Sequence, residues 1–131
     1  MSEPLTITKT EGRVLILHLT GRLDTQTKDK LLDTARLEQA AGTRFLLLDM
    51  QGVEMITSAG LAALHILYKL FTPQADVDAW EKQKHGDVYK SAYFKLANAA
   101  SNIYYILNIT GFLHNIPIYP NLDEARKSFG Q

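Results

Sequence analysis

Thr57 and Ser58 stand directly before Ala59-Gly60-Leu61, where apolar residues take up a helical period that lasts until Pro73. Placing the helix Ser58 to Phe71 at 100° per residue puts Leu61, Ala63, Leu64, Ile66, Leu67, Tyr68, Leu70 and Phe71 on one broad apolar face. Ser58, Ala62, His65 and Lys69 form the remaining stripe, four, three and four residues apart. A hydroxyl at the head of that stripe lies near unpaired backbone N–H groups and the positive end of the helix dipole, where a phosphate is well tolerated. Phosphorylation there adds about −1.5 to −2 charges to an exposed helix surface without demanding any unfolding. The chemistry is that of a docking switch. The same two residues also suit plain N-terminal capping, and periodicity alone does not separate the two roles.

Other chemistries fit less well. A serine hydrolase calls for a base held by an acid and for a Gly-x-Ser-x-Gly elbow, whereas the local sequence is Ile56-Thr57-Ser58-Ala59-Gly60. His65 lies about two turns further along the helix, roughly 10 Å away by helix rise, too far for a direct pair. His18, His85 and His114 are scattered, with no carboxylate or second histidine at ligand spacing, so each reads as a surface or packed histidine and no metal site is expected. Glycine-rich phosphate loops are missing, so any ATP would be brought by a partner. No catalytic residue and no cofactor are expected.

The elements that position Ser58 follow from local pattern. Leu5, Ile7 and Val14 to Leu19 flank the turn-like Glu11-Gly12 and read as a β-hairpin closed by Gly21. A helix is expected from about Thr25 to Ala41, with Leu31, Leu32 and Ala35 on its inner face and Gly42 as its stop. The continuous apolar run Phe45-Leu46-Leu47-Leu48 predicts a strand buried on both faces, ending in a loop around Asp49 to Ile56. Beyond the Ser58 helix, Tyr93 to Ala97 predicts another strand, Ser101-Asn102 a cap, and Ile103 to Thr110 a helix stopped by Gly111. Ile116 to Tyr119 reads as a last strand, and Asn121 followed by Asp123 and Glu124 opens a short terminal helix. Strands alternating with helices make this an α/β protein with one sheet and flanking helices.

Bulk composition agrees. A chain of 131 residues, 46% apolar, suits a single domain. Lys plus Arg and Asp plus Glu both count 14, so no overall field draws in phosphate backbones or anionic lipid, and neither nucleic acid nor membrane is an expected partner. Cysteine is absent, which removes disulfides and thiolate metal sites and says little about compartment. The first twelve residues alternate polar and apolar without a basic segment before an apolar run, unlike a signal peptide. The longest nearly apolar stretch, Leu61 to Phe71, is interrupted by His65 and Lys69 and falls short of the ~20 residues of a spanning helix. A soluble protein is expected.

Three motifs add a resemblance. Leu46-Leu47-Leu48-Asp49-Met50-Gln51-Gly52-Val53 followed by Ile56-Thr57-Ser58-Ala59-Gly60-Leu61 resembles the phosphorylation-loop signature of the STAS family, in particular bacterial anti-sigma factor antagonists (anti-anti-sigma factors). Gly21-Arg22-Leu23-Asp24 is similar to that family's Gly-x-Leu-Asp turn, and Leu107-Asn108-Ile109-Thr110-Gly111-Phe112 to its Leu-x-Leu-Thr-Gly-Leu segment. The motifs lie in the family's order and in register with the expected elements. The resemblance implies a single STAS domain over residues 1–131, with a mixed four- to five-stranded sheet flanked by about four helices. It implies a cytoplasmic phosphoprotein acting in signal transduction and transcription regulation, a substrate and not an enzyme, as a monomer or weak dimer.

The implied partner is a serine-kinase anti-sigma factor, with a serine phosphatase to restore the unphosphorylated form in a partner-switching pathway. Ser58 matches the family's acceptor, with Thr57 as a minor alternative, and the partner-facing residues become Asp24, Thr57, Ser58, Ala62, His65 and Lys69. For Asp24, a role as a cap or turn acid is an equal expectation. Two features depart from the family pattern. Thr57 stands where the family usually has Asp, and residues from about 72 to 91 form an insertion holding Asp76, Asp78, Glu81, Lys82, Lys84, Asp87 and Lys90 around Trp80. That stretch reads either as a solvated face with one anchoring aromatic or as a partner-specific contact. The second functional reading is a STAS-like module that binds a nucleotide or lipid, or scaffolds an assembly, without phosphorylation.

Overall fold

The computed structural model describes residues 4–83, 88–111 and 114–130. Lys84, His85 and Asp87 of the inserted stretch and Phe112 of the third motif lie outside the described residues. Five strands form one mixed sheet in the order β1 (Leu5–Thr10), β2 (Val14–Leu23), β3 (Phe45–Ile56), β4 (Phe94–Ala97), β5 (Ile118–Tyr119). β1 and β2 pair antiparallel as the expected hairpin, and all later neighbours run parallel. The helices are α1 (Lys28–Ala40), α2 (Ser58–Phe71), α3 (Gln74–Lys82), α4 (Ser101–Ile109) and α5 (Leu122–Ser128).

Both sheet faces bury apolar side chains, which explains the unbroken run at the start of β3. Leu46 and Leu48, with Leu15, Leu17 and Leu19 of β2 and Phe94 and Leu96 of β4, face a large core closed by α1, α2 and α4. Leu47, with Val14, Ile16 and Ala97, faces a smaller core under Ala125 and Phe129 at the C-terminal end of the chain. Lys95 holds that end in place. Its amine donates to the Ser128 carbonyl at 3.0 Å and lies 4.4 Å from the centre of the Phe129 ring, and burial lowers its pKa from the ordinary lysine value.

Several boundaries differ from expectation. β3 continues to Ile56 where a loop was expected from Asp49, because the far half of β2 pairs with Gly52–Ile56 across two register shifts. β2 likewise passes through Gly21, at φ +120°, and ends at Leu23. α1 starts three residues later than expected because the Asp24 side chain holds the backbone N–H groups of Gln26 and Thr27 in a turn. Ser101 and Asn102 lie inside α4, and Ala100 takes the cap position with no side-chain bond. β5 keeps only two residues of the expected four, after Pro117, which has no N–H to donate to a ladder.

The inserted stretch contributes a helix, α3, that the charge pattern had not revealed. Its base is closed by a buried pair, Thr72 Oγ1 and Ser91 Oγ at 2.7 Å, and Trp80 packs edge-on against Tyr89 with ring centres 5.9 Å apart. Burial, reinforced by the Asp76 carboxylate, pushes the Tyr89 phenol up to about 12, and Tyr68 and Tyr93 are also raised. A phenol with a raised folded-state pKa contributes stability that is complete below the unfolded value near 10 and is lost as pH climbs through the folded value. Stability is therefore expected to fall between about pH 10 and 12. Tyr89→Phe should flatten that decline in urea titrations at the two ends of the window, and an unchanged slope would count against the buried phenol.

Candidate phosphorylation and docking site

The start of α2 is seated on the end of β2. Thr57 is the N-cap, with extended backbone at φ −105° and ψ 178°, and its Oγ1 accepts from the Gly60 N–H at 3.5 Å. The Thr57 N–H donates to the Leu23 carbonyl at 3.1 Å. Gly60 faces that same carbonyl so closely that a Cβ there would lie 2.3 Å from the oxygen. A bare backbone is needed at this point, which accounts for the glycine in the motif.

Capping falls to Thr57 and leaves Ser58 unused. Ser58 is exposed in the first turn, and its hydroxyl has no hydrogen-bond partner among the described residues. Ala62, His65 and Lys69 are exposed as well, so the structure brings the stripe together as one surface line. Ile66 belongs beside it. Expected on the buried face, Ile66 is 39% exposed because the sheet and α1 cover only the arc through Leu61, Ala63, Leu64, Leu67, Tyr68 and Phe71. Met55, 41% exposed at the end of β3, adds a second apolar side chain near Ser58 that helical periodicity could not identify.

Asp24 follows Leu23 directly, so the Thr57–Leu23 hydrogen bond carries the Gly21-Arg22-Leu23-Asp24 turn to the same end of the sheet as Ser58. Its carboxylate is occupied internally. Oδ1 accepts from the N–H groups of Gln26 and Thr27 at 3.0 and 3.1 Å, and the Arg22 guanidinium lies 3.6 Å from Oδ2. Asp24 is a turn acid in this geometry. The third motif meets the stripe from the other side: Thr110 and Gly111 at the end of α4 share a cleft of about 290 Å³ with His65, His114 and Asn115.

His18 departs from the sequence reading. It has a carboxylate partner after all, Asp49 Oδ2 at 2.7 Å from its Nδ1, supplied by the neighbouring parallel strand. A separation of 31 residues hides such a pair from any reading of local spacing.

A family model described as STAS domain matches residues 6–77, from β1 into α3. The chain belongs to the STAS domain family. No curated protein matches the chain. Among solved structures, this STAS chain is similar to an anti-sigma factor antagonist from Mycobacterium paratuberculosis, with 21% identity, all of both chains covered and a TM-score of 0.77. It is also similar to the anti-sigma factor antagonist SpoIIAA in its unphosphorylated form, with 11% identity, 94% of this chain and 93% of that one covered, and a TM-score of 0.60. A third likeness is to murine solute carrier 26 family member A9, an anion transporter, with 17% identity, 92% of this chain and 18% of that one covered, and a TM-score of 0.63. At these identities the likenesses show the STAS fold, which occurs both in small antagonists and as part of a transporter. Among the described residues, no helix is long and apolar enough to cross a membrane.

Proposed function

We propose that this STAS domain is an anti-sigma factor antagonist-like regulator, switched by phosphate on Ser58 and binding a serine-kinase anti-sigma factor. The observation that carries this reading is the division of labour at the head of α2: Thr57 caps the helix, and the Ser58 hydroxyl stands exposed without a hydrogen-bond partner among the described residues. A phosphate added there meets the positive end of the helix dipole and leaves the Thr57 cap and the Gly60 contact untouched. Its effect falls on the surface of Ser58, Ala62, His65 and Lys69, where a new dianion changes the complementarity a partner meets.

On this reading residues 1–131 act as one cytoplasmic regulatory unit with an insertion at about 72–91. The kinase supplies ATP, and a serine phosphatase resets the switch. Thr57 in place of an acid removes one negative charge beside the acceptor, so the cognate kinase is one adapted to a neutral neighbour.

The test is intact-mass measurement after incubation with the cognate serine kinase and ATP. One phosphate is expected on the wild type, mapped to Ser58, with Ser58→Ala taking up none or only a trace on Thr57. Ser58→Asp is expected to weaken kinase binding about tenfold or more with an unchanged melting temperature. A wild type left unmodified by several such kinases overturns the phospho-switch and favours a STAS module that binds a small molecule or scaffolds an assembly.

A further inference from the structure

The smaller core beneath α5 covers Val14, Ile16, Leu47 and Ala97, and a polar array lies beyond it on the same side of the sheet. Asp49 Oδ2 lies 2.7 Å from His18 Nδ1, and His18 Nε2 lies 2.8 Å from Thr10 Oγ1. An ionised carboxylate only accepts hydrogen bonds, so it holds the imidazole proton on Nδ1. Nε2 of the neutral ring then carries the lone pair, and the Thr10 hydroxyl donates to it. Asp49 is itself oriented. Its Oδ1 accepts from the Gln51 N–H at 3.1 Å and from Asn98 Nδ2 at 3.2 Å. Asn98 reaches it from a left-handed backbone at φ +64°, a conformation asparagine tolerates better than most residues.

The order hydroxyl, imidazole, carboxylate is that of an activated nucleophile: an attacking oxygen, a general base, and an acid that fixes the base's tautomer and orientation. The Asp49 side chain is 10% exposed and the His18 side chain 28%, whereas Thr10 is exposed at the end of β1. The base is held by the fold while the nucleophile is open to solvent. We infer that Thr10 is a modification site whose hydroxyl, with His18 as its base, takes an acyl group from an activated donor such as an aryl ester or acyl phosphate.

In that step Thr10 Oγ1 forms a bond to the acyl carbon and its proton passes to His18 Nε2. The bond to the leaving phenolate or phosphate breaks with its electron pair, and His18 then returns the proton to solvent. An open sheet face suits donors whose leaving groups depart without being protonated, which excludes amides. The inference is independent of Ser58, since it rests on residues of β1, β2 and β3 and on Asn98.

The probe is p-nitrophenyl acetate, with phenolate release followed by absorbance and acetylation mapped by peptide mass. Hydroxylamine treatment separates a labile ester on Thr10 from a stable amide on the adjacent Lys9. Wild type and Thr10→Ser should carry the ester at residue 10, Thr10→Val should carry none, and His18→Gln should slow its formation about a hundredfold or more. Thr25, exposed in the turn before α1, is an internal reference that keeps the test valid where His18→Gln fails to fold. Absence of the ester on wild-type Thr10, equal labelling of Thr10 and Thr25, or an undiminished rate in a folded His18→Gln variant would each overturn the inference.

Discussion

Gly60→Val is expected to lower the stability of the domain by about 3 kcal/mol or more, at the upper end of overpacking costs. The branched side chain would start from a Cβ 2.3 Å from the Leu23 carbonyl oxygen and 2.9 Å from Ile56 Cγ1. One of those neighbours is backbone at the end of a strand, so a rotamer change cannot relieve the clash. Relief requires α2 to lift from β2, which also breaks the hydrogen bond from the Thr57 N–H to Leu23. Urea denaturation should show a lower midpoint with a similar slope, and under the proposed phospho-switch the surviving folded fraction should dock poorly to a serine kinase because Ser58 has moved. A midpoint within experimental error of the wild type would mean that α2 is not seated on Leu23 in this way.

Phe94→Ala is expected to cost about 4 kcal/mol by a different route. Phe94 is fully buried in the central part of the sheet, opposite Leu46 in the parallel β3–β4 ladder. Removing the ring loses its transfer free energy and leaves a cavity that the surrounding strands close only in part. The head of α2 is not touched. Chemical denaturation should therefore report a loss comparable to or larger than that of Gly60→Val, while under the proposed phospho-switch the molecules that remain folded should still accept phosphate on Ser58. A cost below about 1 kcal/mol would mean that the core collapses into the space. Loss of phosphate uptake in the folded fraction would mean that the core and the site are coupled.

The contrast between Gly60 and Phe94 also marks what local pattern can reveal. Both residues stand in segments assigned correctly from the chain, a helix with one apolar face and a short apolar strand. Their burial was open to the same reasoning, but the reason for the glycine was not. Gly60 is required by the carbonyl of Leu23, 37 positions earlier in the chain, and that neighbour appears only when β2 and β3 are laid side by side. Ile66 shows the same limit in reverse. Its place on a broad apolar arc was sound as periodicity, yet the sheet and α1 are too narrow to cover the whole arc.

The loop expected from Asp49 to Ile56 became strand for a related reason. Its Gln51, Glu54 and Met55 look polar or irregular in isolation, but the second half of β2 pairs with Gly52, Val53, Met55 and Ile56, and Gln51 and Glu54 are carried at the register shifts. Propensity yielded to tertiary pairing. Asp24 was placed near the site and given two roles, and the backbone N–H groups of Gln26 and Thr27 show the turn acid directly.

The exposed hydroxyl that opens α2 was therefore legible from the amino acids alone, as were its stripe, the hairpin and the α/β class, because helix periodicity and capping act over one or two turns of neighbouring chain. The STAS family was legible too, through three short motifs in order. Tertiary structure alone decided that the head of α2 is seated on the end of β2, where the Thr57 N–H meets the Leu23 carbonyl and the Ser58 hydroxyl has no hydrogen-bond partner among the described residues. It also decided that His18 meets Asp49, because the register of two parallel strands depends on non-local pairing that no local spacing records.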